Sequence, residues 1–166
     1  MKRKVSTLII LCVIACLALT ACAEESGTFT YTCEDLTLEI PSSCTEISTE
    51  AAQNFAFAFS DSRISIMGMR EEKSSLPEGA DMTPEEYAEQ IKIPEDSDLT
   101  VTNDNGLILM EFDNKVKGLI RKKTFKYMAS VYETEDAFWL IQCACLETDY
   151  GTCRDTFLSL LTSVKG

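Results

Sequence analysis

The segment AFWLIQCACLE, residues 137–147, is the strongest indication of the fold of this chain. Between Ala137 and Leu146 its one polar side chain is Gln142. Successive side chains of a β-strand point to opposite faces of the sheet, so a strand here is apolar on both faces. Strands of that kind lie in the interior of a sheet that is covered on both sides. The segment therefore predicts a central strand between two packed layers.

Two helices are predicted, and each can cover one face of such a sheet. In TPEEYAEQIK, Thr83 can cap the helix, Pro84 suits its first position, and Glu86 completes a capping box. The C-terminal segment, from about Tyr150 to Val164, carries an apolar stripe with helical spacing. The residues of that stripe are Tyr150, Cys153, Phe157, Leu160, Leu161 and Val164.

The remaining apolar segments alternate with period two and are separated by turn residues, which is typical of short antiparallel strands. Thr28–Cys33 and Leu36–Ile40 predict a hairpin, and Phe55, Phe57 and Phe59 are expected on one face of the next strand. Further strands are expected around residues 63–71, 99–102, 107–112 and 124–133. Together these patterns predict an α+β domain: a mostly antiparallel sheet of about six to seven strands sandwiched by helices.

The N-terminus has the pattern of an export signal. Lys2, Arg3 and Lys4 precede an uncharged apolar run from Leu8 to Leu19. The run has twelve residues, whereas a membrane-spanning helix needs about 20. A basic start, a medium apolar core and small residues before a polar segment are features of a signal peptide.

The sequence LTAC, residues 19–22, resembles the lipobox of bacterial lipoproteins. The resemblance implies cleavage between Ala21 and Cys22, a thioether-linked diacylglycerol on Cys22, and an acyl chain on the new amino terminus in some such proteins. It predicts residues 1–21 as a lipoprotein signal peptide, 22–27 as lipidated cysteine and short tether, and 28–166 as one domain. An ordinary signal peptide and a transmembrane anchor are the alternatives. The expected location is the cell membrane, by lipid anchor, on its extracytoplasmic face, with two acyl chains sufficient for stable anchoring.

The mature chain is strongly acidic. Removing residues 1–21 leaves 12 basic and 27 acidic residues, a net charge of −15. Non-specific nucleic-acid binding depends on Lys and Arg neutralising phosphates, so no nucleic-acid partner is expected. The five residues after Cys22 reach at most about 18 Å, so the domain is expected to lie close to the lipid headgroups.

Half of the mature chain's basic residues lie within residues 115–126. They are Lys115, Lys117, Arg121, Lys122, Lys123 and Lys126. The segment is interpreted either as a solvated hairpin or as a contact surface for an anionic partner, such as lipid headgroups, a cell-envelope polymer or an acidic protein.

Three stretches of the domain resemble small exported lipoproteins of Firmicutes: LTLEIPSSC, TPEEYAEQI and AFWLIQCACLETDYGTCRDTFLSLLTSVK. The fold of these proteins is similar to that of PsbP, the extrinsic protein of photosystem II. The resemblance covers nearly all of residues 28–165, but its motifs are strand and helix cores, so it implies a fold and transfers no catalytic residues. Cys44, Cys143 and Cys153 stand where that pattern has aromatic residues, which favours cysteine as core filler.

The domain has five cysteines besides Cys22: Cys33, Cys44, Cys143, Cys145 and Cys153. A zinc site is one hypothesis, because four thiolates suit structural zinc. A disulfide is another, joining Cys143 or Cys145 to Cys153, or Cys33 to Cys44. The favoured interpretation is packing, because free cysteine is among the most buried residue types, and neither a metal nor a catalytic residue is expected.

The expected function is that of a lipid-anchored, non-enzymatic binding or accessory module at the cell surface, without a cofactor other than the lipid on Cys22. Its partners would be the membrane and a protein or cell-envelope polymer. The alternatives are a thiol- or metal-dependent extracytoplasmic enzyme and a small-molecule carrier with a deep apolar pocket between sheet and helix.

Overall fold

A computed structural model describes residues 27–48, 52, 54–76, 81–91, 93, 97, 99–104, 106–117 and 122–166. Its nine strands in these ranges are β1 (Thr28–Cys33), β2 (Leu36–Pro41), β3 (Thr45–Glu46), β4 (Phe57–Ser60), β5 (Ile64–Glu72), β6 (Thr100–Asp104), β7 (Leu107–Lys117), β8 (Lys122–Glu133) and β9 (Ala137–Leu146). The helices are α1 (Pro84–Gln90) and α2 (Tyr150–Ser163), and short 3-10 turns cover Lys73–Ser75 and Glu147–Asp149. In the described residues, neither helix has the length and apolar character needed to cross a bilayer.

Seven strands form one antiparallel sheet in the order β3-β4-β5-β9-β8-β7-β6. The predicted central strand is confirmed: β9 is the fourth of the seven and is buried from Ala137 to Cys145. The number of strands in this sheet and its antiparallel character are confirmed as well. The predicted N-terminal hairpin forms, but β1 and β2 make a separate two-stranded sheet instead of extending the main one.

One face of the main sheet is covered by the β1–β2 hairpin together with α2. This layer includes Leu36, Leu38, Trp139 and Phe157, all fully buried. The Trp139 Nε1–H donates to Asp35 Oδ1 over 2.9 Å, which fixes the turn of the hairpin onto β9. We call this side of the sheet the α2 face.

The opposite face is covered by α1 and by the segment that leads into it. The capping box predicted for α1 is present, because Thr83 Oγ1 accepts from the Glu86 amide and Glu86 Oε2 accepts from the Thr83 amide. Tyr87 stacks on Phe138 of β9 with ring centroids 4.7 Å apart. We call this side the α1 face.

The prediction for Phe55 is wrong. The strand begins at Phe57, and the Phe55 amide instead donates to the Ala52 carbonyl in a turn. Phe57 and Phe59 pack on the α2 face, whereas Phe55 packs on the α1 face. The alternating pattern correctly identified the strand, but the turn before Phe57 reverses the side to which Phe55 points.

Candidate functional site

The predicted lipid-attachment residue Cys22 lies outside the described residues, as does the signal segment 1–21. The described chain begins at Gly27, one residue before β1. Gly27 is therefore the described residue nearest in sequence to Cys22.

Gly27 lies at the end of the main sheet where β4 turns into β5. Its carbonyl accepts a hydrogen bond from the Ser42 amide over 2.9 Å. The neighbouring Ser43 hydroxyl donates to Asp61 Oδ2, in the turn between those two strands, over 2.8 Å. We call this the Gly27 end of the sheet.

The basic hairpin lies at the same end. In the sheet register, Ile64 at the start of β5 pairs with Cys145, and Cys145 pairs with Lys126. The pairing of β8 with β9 begins at Phe125. The hairpin tip, where Val116 pairs with Lys123, therefore projects beyond β9 at the Gly27 end.

The six predicted contact residues are only partly brought together in the described structure. Lys123 and Lys115 are exposed and Lys126 is half-buried. Register and strand alternation place Lys115 and Lys126 toward the α2 face and Lys123, opposite Val116, toward the α1 face. Lys117 and Lys122 pair through their backbones, their side chains lie outside the description, and Arg121 lies outside it entirely.

The carboxylate of Asp113 lies close to the positive charge of Lys115. The Lys115 Nζ lies 3.7 Å from Asp113 Oδ2, and Asp113 is 5% exposed. A pair with one exposed partner contributes little to stability. Lys115 keeps its exposure to solvent despite this pair, as does Lys123.

A groove of about 600 Å³ opens at the Gly27 end, between the β1–β2 hairpin, α2 and the β4–β5 turn. Carboxylates of Glu39, Asp61 and Asp155 line it together with Arg63, and Cys153 contributes to its wall. Its volume is within the range of small-ligand sites. Its charged lining differs from the deep apolar pocket that a carrier of apolar molecules would need.

Four of the five domain cysteines pack in the α2-face core. Cys44, Cys143, Cys145 and Cys153 are all buried there, whereas Cys33 is half-buried at the end of β1. Burial raises the pKa of the Cys44 thiol and of the Cys145 thiol, each to about 12. A thiol is nucleophilic as the thiolate, so these environments suit packing better than thiol catalysis.

The positions of the cysteines also bear on the metal-site and disulfide hypotheses. Within the described ranges, no group of three or more Cys, Asp or Glu side chains is arranged to hold a metal ion. Cys33 and Cys44 flank β2 at its opposite ends, so a strand of six residues separates them and they are too far apart to bridge. Cys145 and Cys153, by contrast, pack in the same core, and each thiol influences the pKa of the other.

A polar network that the sequence patterns did not predict fixes the start of α2. The Tyr150 hydroxyl donates to Glu111 Oε2 of β7, and Arg154 Nη2 lies 2.9 Å from Glu111 Oε1. Burial, together with the hydrogen bond to Glu111, raises the pKa of Tyr150. No local sequence pattern predicts this contact, because Glu111 and Tyr150 are 39 positions apart.

Comparison with solved structures identifies the architecture. The solution structure of the cyanobacterial PsbP protein CyanoP from Synechocystis matches with a TM-score of 0.54 and 12% sequence identity, over 89% of this chain and 98% of that one. The chain has a PsbP-like fold. The fold that the sequence resemblance implied is thereby confirmed.

Other matches are more partial. A crystal structure from Bacteroides thetaiotaomicron matches the PsbP-like domain with a TM-score of 0.53 and 9% identity, over 85% of this chain and 48% of that one. No protein-family model matches the sequence, and no curated protein matches it significantly. At such identities, the similarity establishes the fold and leaves the function to the site itself.

Proposed function

We propose that the protein is a lipid-anchored accessory module on the extracytoplasmic face of the membrane, which acts without catalysis and turns its basic hairpin toward the headgroups. The observation that carries this proposal is the arrangement at the Gly27 end. Gly27, the first described residue, lies at the sheet end beyond which the β7–β8 hairpin projects. A tether between Cys22 and Gly27 would then hold that end near the bilayer.

Electrostatics favour the same orientation. The mature chain carries a net charge of −15, so an anionic membrane repels most of its surface. Charge effects decay over about 8 Å at physiological salt, which makes the surface nearest the lipid decisive. The exposed Lys115 and Lys123 lie at the end that the tether would bring nearest.

The buried cysteines favour a non-enzymatic role over a thiol enzyme. Raised pKa values at Cys44 and Cys145 keep these thiols protonated at neutral pH. The partner that the anchored module supports would be a protein or polymer of the cell envelope. The proposed orientation of the domain relative to the bilayer can be tested, because the two ends of the sheet carry different residues.

Fluorescence quenching in vesicles tests the orientation directly. The anchored protein, in a Cys33→Ser background, carries a fluorophore at either Lys123→Cys or Lys165→Cys and is reconstituted into vesicles that contain anionic lipid and a headgroup quencher. Lys165 lies at the opposite end of the domain, where its backbone pairs with Thr37. The ten residues of β9 set that separation at about 30 Å.

The expected result is strong quenching at position 123 and weak quenching at position 165. Raising the salt concentration should weaken quenching at position 123 while the protein stays on the vesicles, because salt screens the lysine contacts and leaves the lipid anchor intact. Equal quenching at both positions would contradict the orientation. Loss of the whole protein from the vesicles would contradict the lipid anchor.

A further inference from the structure

The Cys145–Cys153 pair is the strongest reactive arrangement in the described part of the chain. Cys145 lies near the end of β9, and Cys153 lies in the first turn of α2. The 3-10 turn Glu147–Asp149 reverses the chain between them and brings α2 back across the end of the strand. The two residues are 2% and 4% exposed and pack in the same core, where each thiol influences the pKa of the other.

Geometry favours this pair over the other cysteine pairs. A disulfide needs Cβ atoms about 3.8 Å apart, and the reversal of the chain at the 3-10 turn brings Cys153 back toward the strand end that carries Cys145. Cys143 and Cys145 are neighbours on one face of an extended strand, about 6.6 Å apart along it, and are directed in parallel. Cys143 is fully buried and, unlike Cys153, does not line the groove.

The groove gives dissolved molecules access to one cysteine of the pair. Cys153 contributes to the wall of the groove at the Gly27 end, beside Arg63, whereas Cys145 is not among the residues of that wall. The positive charge of Arg63 lowers the pKa of the Cys153 thiol, whereas the carboxylates of Asp149 and Asp61 raise it. A small oxidant entering the groove therefore meets Cys153 first.

We propose that Cys145 and Cys153 form a reversible disulfide site that locks α2 onto β9 when the domain meets a low-molecular-weight disulfide. The Cys153 thiolate attacks one sulfur of the oxidant, which forms a mixed disulfide and releases one small thiolate. The Cys145 thiolate then attacks Cys153 Sγ and displaces the second small thiolate. The two cysteines lose two electrons and two protons, and the oxidant takes them up as two thiols.

This inference goes beyond the proposed accessory role and does not depend on the lipid at Cys22. Burial raises the pKa of both thiols. The reaction should therefore be slow at neutral pH. It should accelerate about tenfold per pH unit while the pH stays below both pKa values, because the rate follows the thiolate fraction.

Peptide mapping tests the site. The full-length protein, extracted in mild detergent, is incubated with oxidised or reduced glutathione, quenched with acid, denatured, alkylated and cut after glutamate. Cleavage after Glu147 separates Cys145 from Cys153, so a disulfide between them joins two fragments. The oxidised sample should contain these joined fragments, lighter than the sum of the free peptides by two hydrogen masses, and dithiothreitol should release them.

Matched variants distinguish the pair from its neighbours. Cys145→Ala should stop the reaction at a glutathione adduct on Cys153, and Cys153→Ala should remove the joined fragments without an adduct on Cys145. Cys143→Ala, on the same face of β9, should leave the bridge unchanged. Full alkylation of both cysteines after oxidation, or loss of the bridge in Cys143→Ala with native tryptophan fluorescence, would overturn the proposal.

Discussion

At the scale of single residues, Asp35 connects the hairpin turn to the core. Partial burial by itself raises the pKa of Asp35, but hydrogen bonds from Thr134 and Trp139 and the nearby Arg70 outweigh that effect and hold it below its usual value. The Arg70 Nε lies 3.8 Å from Asp35 and 2.8 Å from Glu34, as an ion pair without an aligned hydrogen bond to either. The ionised Asp35 therefore stabilises the folded state.

The pH dependence of stability should show this effect. A group whose pKa is lower in the folded state stabilises the protein above its unfolded pKa, and that stabilisation is lost as the pH falls through the folded value. Asp35→Asn should therefore lower the free energy of unfolding at neutral pH, and its difference from the wild type should shrink below about pH 4. Urea unfolding monitored at Trp139 measures both proteins, and a difference that grows as the solution is acidified would contradict the assignment.

The cysteines give a second test at this scale. Cys143 is fully buried in an apolar layer, whereas Cys33 is half-buried at a strand end. Cys143→Ser should lower the free energy of unfolding by about 1–3 kcal/mol, because it places a hydroxyl in that layer. Cys33→Ser should change it by no more than about 0.5 kcal/mol. Equal effects of the two substitutions would exclude packing as the role of Cys143.

Among the elements, the packing of β4 against β5 depends on the absence of a side chain at Gly68. Gly68 pairs with Phe57, and a Cβ atom added at Gly68 would lie 2.3 Å from the Phe57 ring. The glycine therefore makes room for an aromatic ring that packs on the α2 face beside Trp139. This close approach explains why a strand interior contains glycine despite its cost to strand stability.

Gly68→Ala should destabilise the protein by about 1–3 kcal/mol, since it overpacks the core. The loss should be smaller in a Phe57→Leu background, where the ring is absent, and thermal unfolding of the four proteins measures this coupling. Gly151→Ala is the matched control: no neighbouring atom lies within 4 Å of the added Cβ, and alanine should stabilise α2 by about 0.5 kcal/mol. A Gly68→Ala cost independent of Phe57 would contradict the steric explanation.

Local patterns predicted most elements and the helices on the two faces of the sheet, but not the layer to which the β1–β2 hairpin belongs. The apolar run of β9, the capping box of α1 and the stripe of α2 each depend on nearby residues, so the sequence was sufficient to predict them. The separate β1–β2 sheet depends on distant contacts, such as that between Trp139 and Asp35, 104 positions apart. The same is true of the candidate site, since the basic segment was evident in sequence but its placement at the Gly27 end of the sheet required the register of the strands.

The whole molecule is a PsbP-like domain with two different ends. The Gly27 end combines the first described residue, a groove and the projecting basic hairpin. The opposite end carries the Asp35 turn and the C-terminal Lys165, whose backbone pairs with Thr37 of β2. In the proposed orientation, the basic hairpin would face the membrane and the Asp35 turn would face away from it.

The intact mass of the full-length protein, expressed in a lipoprotein-processing bacterium and extracted from its membranes, tests the central claim most directly. We expect a chain that begins at Cys22 and carries a diacylglycerol, with or without a further acyl chain. We also expect that Cys22→Ala removes the protein from the membrane fraction. An uncut leader or an unmodified Cys22 in the membrane-extracted protein would show that the domain is not lipid-anchored at this residue.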